Sequence, residues 1–220
     1  MKIFKDTRGS ADMYNDTAYF GWQTKPKALI GIGQGYKEAA NQLVDYVLQS
    51  NNEGIRERFI FPIMFNYRNS IELVLKAIYM RACGKLCKGD HNLLSIWSYI
   101  ETDVIDGMFG NEEIVEGMNE ERSYPFRPDI SKIPTQKIKD MLKELQGASR
   151  SEAERQVNPR GDEKADVWRY AISPDGELYF SKGHYLHYPT LKSEMNRLYD
   201  LLDYLYYEVD AFLSVGVIYL

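Results

Sequence analysis

Apolar residues recur at three- and four-residue steps over most of this chain, the spacing that lines one face of an α-helix. Ala39, Ala40, Leu43, Val47 and Leu48 keep that step from Tyr36 onward. The Gly-rich stretch Gly31 to Gly35 precedes them and Asn51-Asn52-Glu53-Gly54 follows, so the pattern predicts a first helix between two breaks. The next segment, Arg56 to Ala82, is apolar on most of its circumference, with Phe59, Ile60, Ile63, Met64, Phe65, Tyr67, Ile71, Leu73, Val74, Leu75, Ile78 and Met80. A helix apolar on nearly every side packs against several neighbours, so this one is expected at the centre of a bundle. Pro62 is expected to open or kink it, because proline has no amide to bond four residues back. The stretch Gly84 to Gly89 ends it, and Asp90 is placed to cap a following helix carrying the stripe Leu93, Leu94, Trp97 and Ile100.

Beyond residue 102 the periodicity weakens to a short acidic helical turn from Asn111 to Gly117, and the prolines of Tyr124-Pro125-Phe126-Arg127-Pro128 predict a loop. A helix is predicted over Ile133 to Gln146, with Ile138, Met141, Leu142 and Leu145 on one face and Gly147 as its stop. Between Gln146 and Val167 only Ala148, Ala153, Val157 and Ala165 are apolar, which predicts a solvated loop. Aromatic and branched residues then flank Ser173-Pro174-Asp175-Gly176, and the segment 168–180 reads as a small β-hairpin. The last helix is expected after Pro189, with Thr190 as cap and Leu191, Met195, Leu198, Leu202, Leu205, Val209 and Phe212 on its inner face. Residues 1–34 show no sustained period and read as an extended arm pinned by Tyr19, Phe20 and Trp22. The expected fold is therefore mainly α: an arm over 1–34 and a single helical domain over 35–220, bundled around a central apolar helix.

Composition narrows the class. With 27 Lys+Arg against 32 Asp+Glu, the 220-residue chain carries a formal net charge of −5, which disfavours sequence-independent DNA binding through a basic surface. No apolar run reaches membrane-spanning length and no apolar signal-like segment follows Met1 to Asp6, so a cytoplasmic protein without membrane contact is expected. The two cysteines, Cys83 and Cys87, are not expected to form a disulfide in that setting. Cys83, Cys87 and His91 recur at intervals of four and, with His184 or His187, offer an alternative as zinc ligands. Gly84 and Gly89 interrupt the helix that would align them, and buried free thiols commonly serve as small hydrophobes, so no metal and no cofactor are expected.

Candidate chemistry concentrates on the second predicted helix. Arg68, Glu72 and Lys76 lie four residues apart and stack on one face. One reading is an ion-pair ladder that orients the bundle; the other makes Arg68 and Lys76 anion contacts held by Glu72, with Asn66 and Asn69 beside them. His91 begins the next helix as either a structural imidazole or a general acid or base, and Arg169 sits between Trp168 and Tyr170. The candidate binding set is therefore Arg68, Asn69, Glu72, Lys76, His91 and Arg169, with His91, Arg68 and Glu72 the candidates for any catalysis. Gly31-Ile32-Gly33-Gln34-Gly35 lacks dinucleotide-fingerprint spacing, and neither a Walker loop nor a nucleophile elbow is present.

The string Phe61-Pro62-Ile63, Tyr67-Arg68, Ile71-Glu72-Leu73, Leu75-Lys76, then His91-Asn92-Leu93 and Trp97, resembles prokaryotic relatives of the HEPN helical-bundle superfamily. The Tyr36 to Leu43 helix and the Trp168-Arg169-Tyr170, Asp175-Gly176 segment extend the resemblance over roughly residues 35 to 213. It implies an all-α bundle, often dimeric, of the kind found in bacterial defence, toxin–antitoxin and RNA-processing systems. The sequence departs from the catalytic members in one respect: no Arg precedes His91, His184 or His187 by the four to six residues of their Arg–His motif. The expectation is a domain that binds RNA, a nucleotide or a protein partner. A ribonuclease with a rearranged site and a purely structural dimerising module, using some of the 17 tyrosines at its contact, are the alternatives.

Overall fold

The computed structural model describes residues 18, 24–120, 122, 124–147, 161–180 and 183–214. The anchors expected for the arm, Tyr19, Phe20 and Trp22, and most of the loop expected after Gln146 lie outside the described residues. Among those described, the architecture is a bundle of α-helices without a strand.

Helix α1 (Lys27–Ser50) begins well before Tyr36 and absorbs the glycines expected to precede it. Gly33 explains why. A β-carbon there would lie 3.3 Å from the Ser70 carbonyl oxygen and 3.4 Å from Leu73 Cβ of the next helix, so this glycine lets two backbones approach closely. The reversal that follows is local chemistry. Asn51 adopts a left-handed conformation (φ 51°), and Asn52 caps helix α2 (Glu53–Cys83) by accepting from the Ile55 N–H at 3.2 Å. Gly84, at φ 70°, ends α2 by donating its N–H to Met80 O.

Pro62 lies inside α2, exposed to solvent, rather than at its start. From Phe59 to Cys83 no other residue is fully exposed. The buried set is not the wholly apolar one expected of a central apolar helix: Arg68, Ser70 and Glu72 are buried beside Ile63, Ile71, Val74, Leu75 and Ile78. Ser70 satisfies itself by donating to Tyr67 O at 2.7 Å.

Helix α3 (Leu93–Tyr99) is capped by Asn92, not Asp90, through the Ser95 N–H at 2.9 Å. It continues into a π-helical stretch, Ile100–Phe109, that buries Ile100, Val104, Ile105 and Phe109. Helix α4 (Glu112–Glu120), a 3₁₀ turn (Ile130–Lys132) and α5 (Thr135–Gly147) follow. Helix α6 (Tyr188–Leu213) starts just before Pro189, which sits in its first turn, where the missing N–H costs nothing. It lies against α1 and α2, aligned by a reciprocal amide pair. Asn41 donates to Asn196 at 3.0 Å, Asn196 donates back at 2.8 Å, and the Tyr67 hydroxyl from α2 bonds Asn41 Oδ1 at 2.7 Å.

The β-hairpin expected near 168–180 is not formed. A turn closed by the Gly176 N–H on Ser173 O supports one antiparallel bridge, Ile172 to Leu178, and both of these side chains are mostly exposed. Two residues a side with no face to bury cannot sustain a ladder. The aromatics instead cover α2: Trp168 rests on Phe61 and Phe180, with ring centroids 5.9 and 5.1 Å away.

The glycines of α1 separate packing from propensity. A β-carbon at Gly31 or Gly35 would meet nothing within 4 Å, so Gly31→Ala and Gly35→Ala should each raise the unfolding free energy in urea by about 0.5–1 kcal/mol. Gly33→Leu should lower it by about 1–3 kcal/mol through overpacking against Ser70 and Leu73.

Candidate functional site

One face of α2 carries Phe61, Phe65, Arg68, Glu72 and Lys76 at three- and four-residue steps, and most of the residues expected to bear chemistry gather along it. Arg68 is deeply buried, at 1% exposure. Every arm of its guanidinium is engaged. Nε donates to Asp162 Oδ2 at 2.8 Å, Nη1 to Glu72 Oε2, and Nη2 to the carbonyl oxygens of His91 and Asp162. Glu72 in turn accepts from Lys76 Nζ at 2.6 Å and contacts His91 Nδ1 at 2.9 Å, both through Oε1.

Four of the six expected binding residues therefore come together: Arg68, Glu72, Lys76 and His91. Asn69 is half-buried on the neighbouring face and makes no hydrogen bond within this network. Arg169 stands apart. Its guanidinium lies over the Phe65 ring at 5.4 Å and over Tyr170 at 6.0 Å, exposed, and with no ion pair among the described residues.

Asp162 is the residue the sequence did not announce. It sits in the segment expected to be a solvated loop, yet it is 2% exposed. The preceding Gly161, at φ 60°, brings the backbone so close to Gln146 O that a β-carbon would lie 2.6 Å from it, and the Asp162 N–H donates to that carbonyl at 2.8 Å. Asp162 Oδ1 accepts from the Val167 N–H at 2.9 Å. Gln146 completes the link: its side-chain oxygen accepts from the Leu94 N–H, one of the unpaired donors at the start of α3. The local signal was a Gly-Asp pair in a polar stretch, a turn former with no periodicity to mark it.

The two carboxylates respond oppositely to burial. Desolvation pushes Glu72 up, but the Lys76 hydrogen bond and the charges of Arg68, Lys76 and His91 outweigh it and hold this carboxyl below the usual range. For Asp162 desolvation prevails over Arg68 and the Val167 N–H, and its pKa is raised. Glu72 is thus the firmly ionised member.

Among the described residues no group of three or more His, Cys, Asp and Glu side chains is arranged to hold an ion, Cys83, Cys87 and His91 included. Burial raises the Cys83 thiol and so disfavours the thiolate a metal needs, and His91 is turned to Glu72. An open groove along α5, lined by Pro134, Lys137, Met141 and Glu144 among others, includes none of the network residues. Among the described residues no helix is long and apolar enough to cross a membrane. Comparisons with protein-family models, with curated proteins and with solved structures find no match.

Removing the buried cation strands two carboxylates, so Arg68→Met should cost about 3–5 kcal/mol of stability. Glu72→Gln should destabilise more than Asp162→Asn at neutral pH. A depressed carboxyl stabilises the fold above its unfolded value of about 4.3 and loses that contribution as the pH falls through its lower folded value. The difference between wild type and Glu72→Gln should therefore shrink on acidification. Asp162, being raised, works in the other sense: its contribution weakens as the pH rises from its ordinary value through the folded one. Urea titrations across the acid range read both.

Proposed function

We propose that this chain is a HEPN-like helical domain that binds RNA or a nucleotide, in a bacterial defence or toxin–antitoxin type of system, without the Arg–His cleavage pair of catalytic relatives. The single observation that carries the reading is Arg169. A guanidinium seated against Phe65 and Tyr170, exposed and without a carboxylate partner among the described residues, offers charge to a phosphate and a ring to a base. Arg68 is not part of that contact: each nitrogen of its buried guanidinium donates to a protein oxygen, so it acts as an internal brace.

A second reading, a ribonuclease with a rearranged site, draws on the contact between His91 and Glu72, since a carboxylate that fixes an imidazole is also how a general base is oriented. A dimerising or partner-binding module is the third, in which exposed Tyr170, Tyr185 and Tyr207 would serve as contacts.

Retention of labelled tRNA and total RNA as a function of salt distinguishes them. Arg169→Ala should weaken RNA retention and reduce the salt slope by about one phosphate contact, with the RNA left intact. Cleavage that His91→Ala abolishes would transfer the assignment to the ribonuclease, and a stable dimer indifferent to RNA would transfer it to the structural module.

A further inference from the structure

We infer that Arg169 and Tyr170 form a platform for an unpaired base, so that the RNA this chain takes is a single strand or a loop and not a duplex. This rests on the RNA-binding reading above and narrows it. The platform is rigidly mounted. Trp168 turns inward, 5% exposed, against Phe61 and Phe180, and the N–H groups of Arg169 and Tyr170 both donate to Asp166 O, at 3.1 and 2.8 Å. Backbone fixed behind them thus presents the next two side chains to solvent. The Arg169 Cζ lies 5.4 Å from the Phe65 ring centroid, and Phe65 is itself met edge-on by Tyr36 of α1 at 6.4 Å. The Tyr170 ring centroid is 6.0 Å from the same carbon, and Tyr170 is 54% exposed. Three segments of the chain therefore build one cationic aromatic cluster, with little left to order when a ligand binds.

The cluster suits two parts of one nucleotide. Tyr170, its most exposed ring, offers a surface on which any base can stack, since every base has a π face. The Arg169 N–H donors, without a side-chain hydrogen bond or ion pair among the described residues, are left for a phosphate of the same strand. Stacking is what selects the ligand. In a duplex each interior base is covered above and below by its neighbours and reaches a side chain only by being expelled from the stack, whereas an unpaired base carries no such cost. Charge alone would choose the opposite ligand, because a duplex sets its phosphates more densely than a single strand. With a formal net charge of −5, the chain has little general attraction for that density.

Fluorescence anisotropy of the full chain with a labelled mixed-sequence RNA of about 16 nucleotides, and with the blunt duplex it forms with its complement, tests the platform. The single strand should bind about tenfold more tightly than the duplex. Tyr170→Leu should weaken single-strand binding about tenfold and leave its salt slope unchanged, because no charge is lost. Arg169→Lys keeps the charge but loses the planar fork, and should weaken the single strand severalfold at the same slope. Both residues are exposed, so the fold is preserved, and the urea midpoint checks that. Inorganic polyphosphate, which has charge and no base, should compete poorly at equal phosphate concentration. Equal or tighter binding of the duplex, a Tyr170→Leu chain indistinguishable from wild type, or ready displacement by polyphosphate would overturn the platform. If Arg169→Ala still lowered RNA retention in those cases, the RNA-binding reading would stand without it. Binding of neither RNA would overturn both.

Discussion

The structure depends on one buried guanidinium. An arginine removed from water must be matched by anions and carbonyls close at hand, or its desolvation unfolds the protein. Arg68 meets that demand with partners from three separate places in the chain: Glu72 one turn away on its own helix, the His91 carbonyl 23 residues on, and Asp162 94 residues on. The non-helical segments of the molecule, the turn before α3 and the chain around 161–168, are thereby fastened to the same face of α2. Gln146 ties in the end of α5 by accepting from Leu94 and receiving Asp162. A helix that would otherwise need another helix on that side is covered there by irregular chain fastened through Arg68.

This arrangement also divides labour among the charged residues of α2. Those nearest the core, Arg68 and Glu72, are paired with each other and held by buried neighbours, and serve the fold. Those at its margin, Lys76 and the His91 ring, share a carboxylate with the interior yet reach solvent. Arg169, from another segment, lies over Phe65 at the other end of this face and is oriented by aromatic rings instead of by charge. Buried ionic contacts on one helix face thus adjoin charged groups that reach solvent.

The helices were legible because burial on one side forces a 3.6-residue period into the sequence. The ladder of Arg68, Glu72 and Lys76 was visible for the same reason, since four-residue spacing fixes which side chains meet. What the sequence concealed is long-range or ambiguous by nature. Asp162 meets Arg68 across 94 residues in a stretch with no period, and no local rule points to it. Gly33 reads as punctuation, whereas its absent side chain is what α2 requires of α1. Trp168 and Phe180 carry the composition of a strand, but their rings serve to cover α2 and not to pair with one another across a sheet.

The reciprocal amides of Asn41 and Asn196 have a consequence for the alignment of the bundle. Aliphatic faces of two helices interdigitate almost equally well after a slide of one turn, about 5.4 Å. Two carboxamides that each give and accept a hydrogen bond do so only when they stand opposite one another, and the Tyr67 hydroxyl closes on the same oxygen. A slipped α6 would bury unanswered polar atoms on both helices, so this small amide clasp selects one registry among several that greasy packing alone would tolerate.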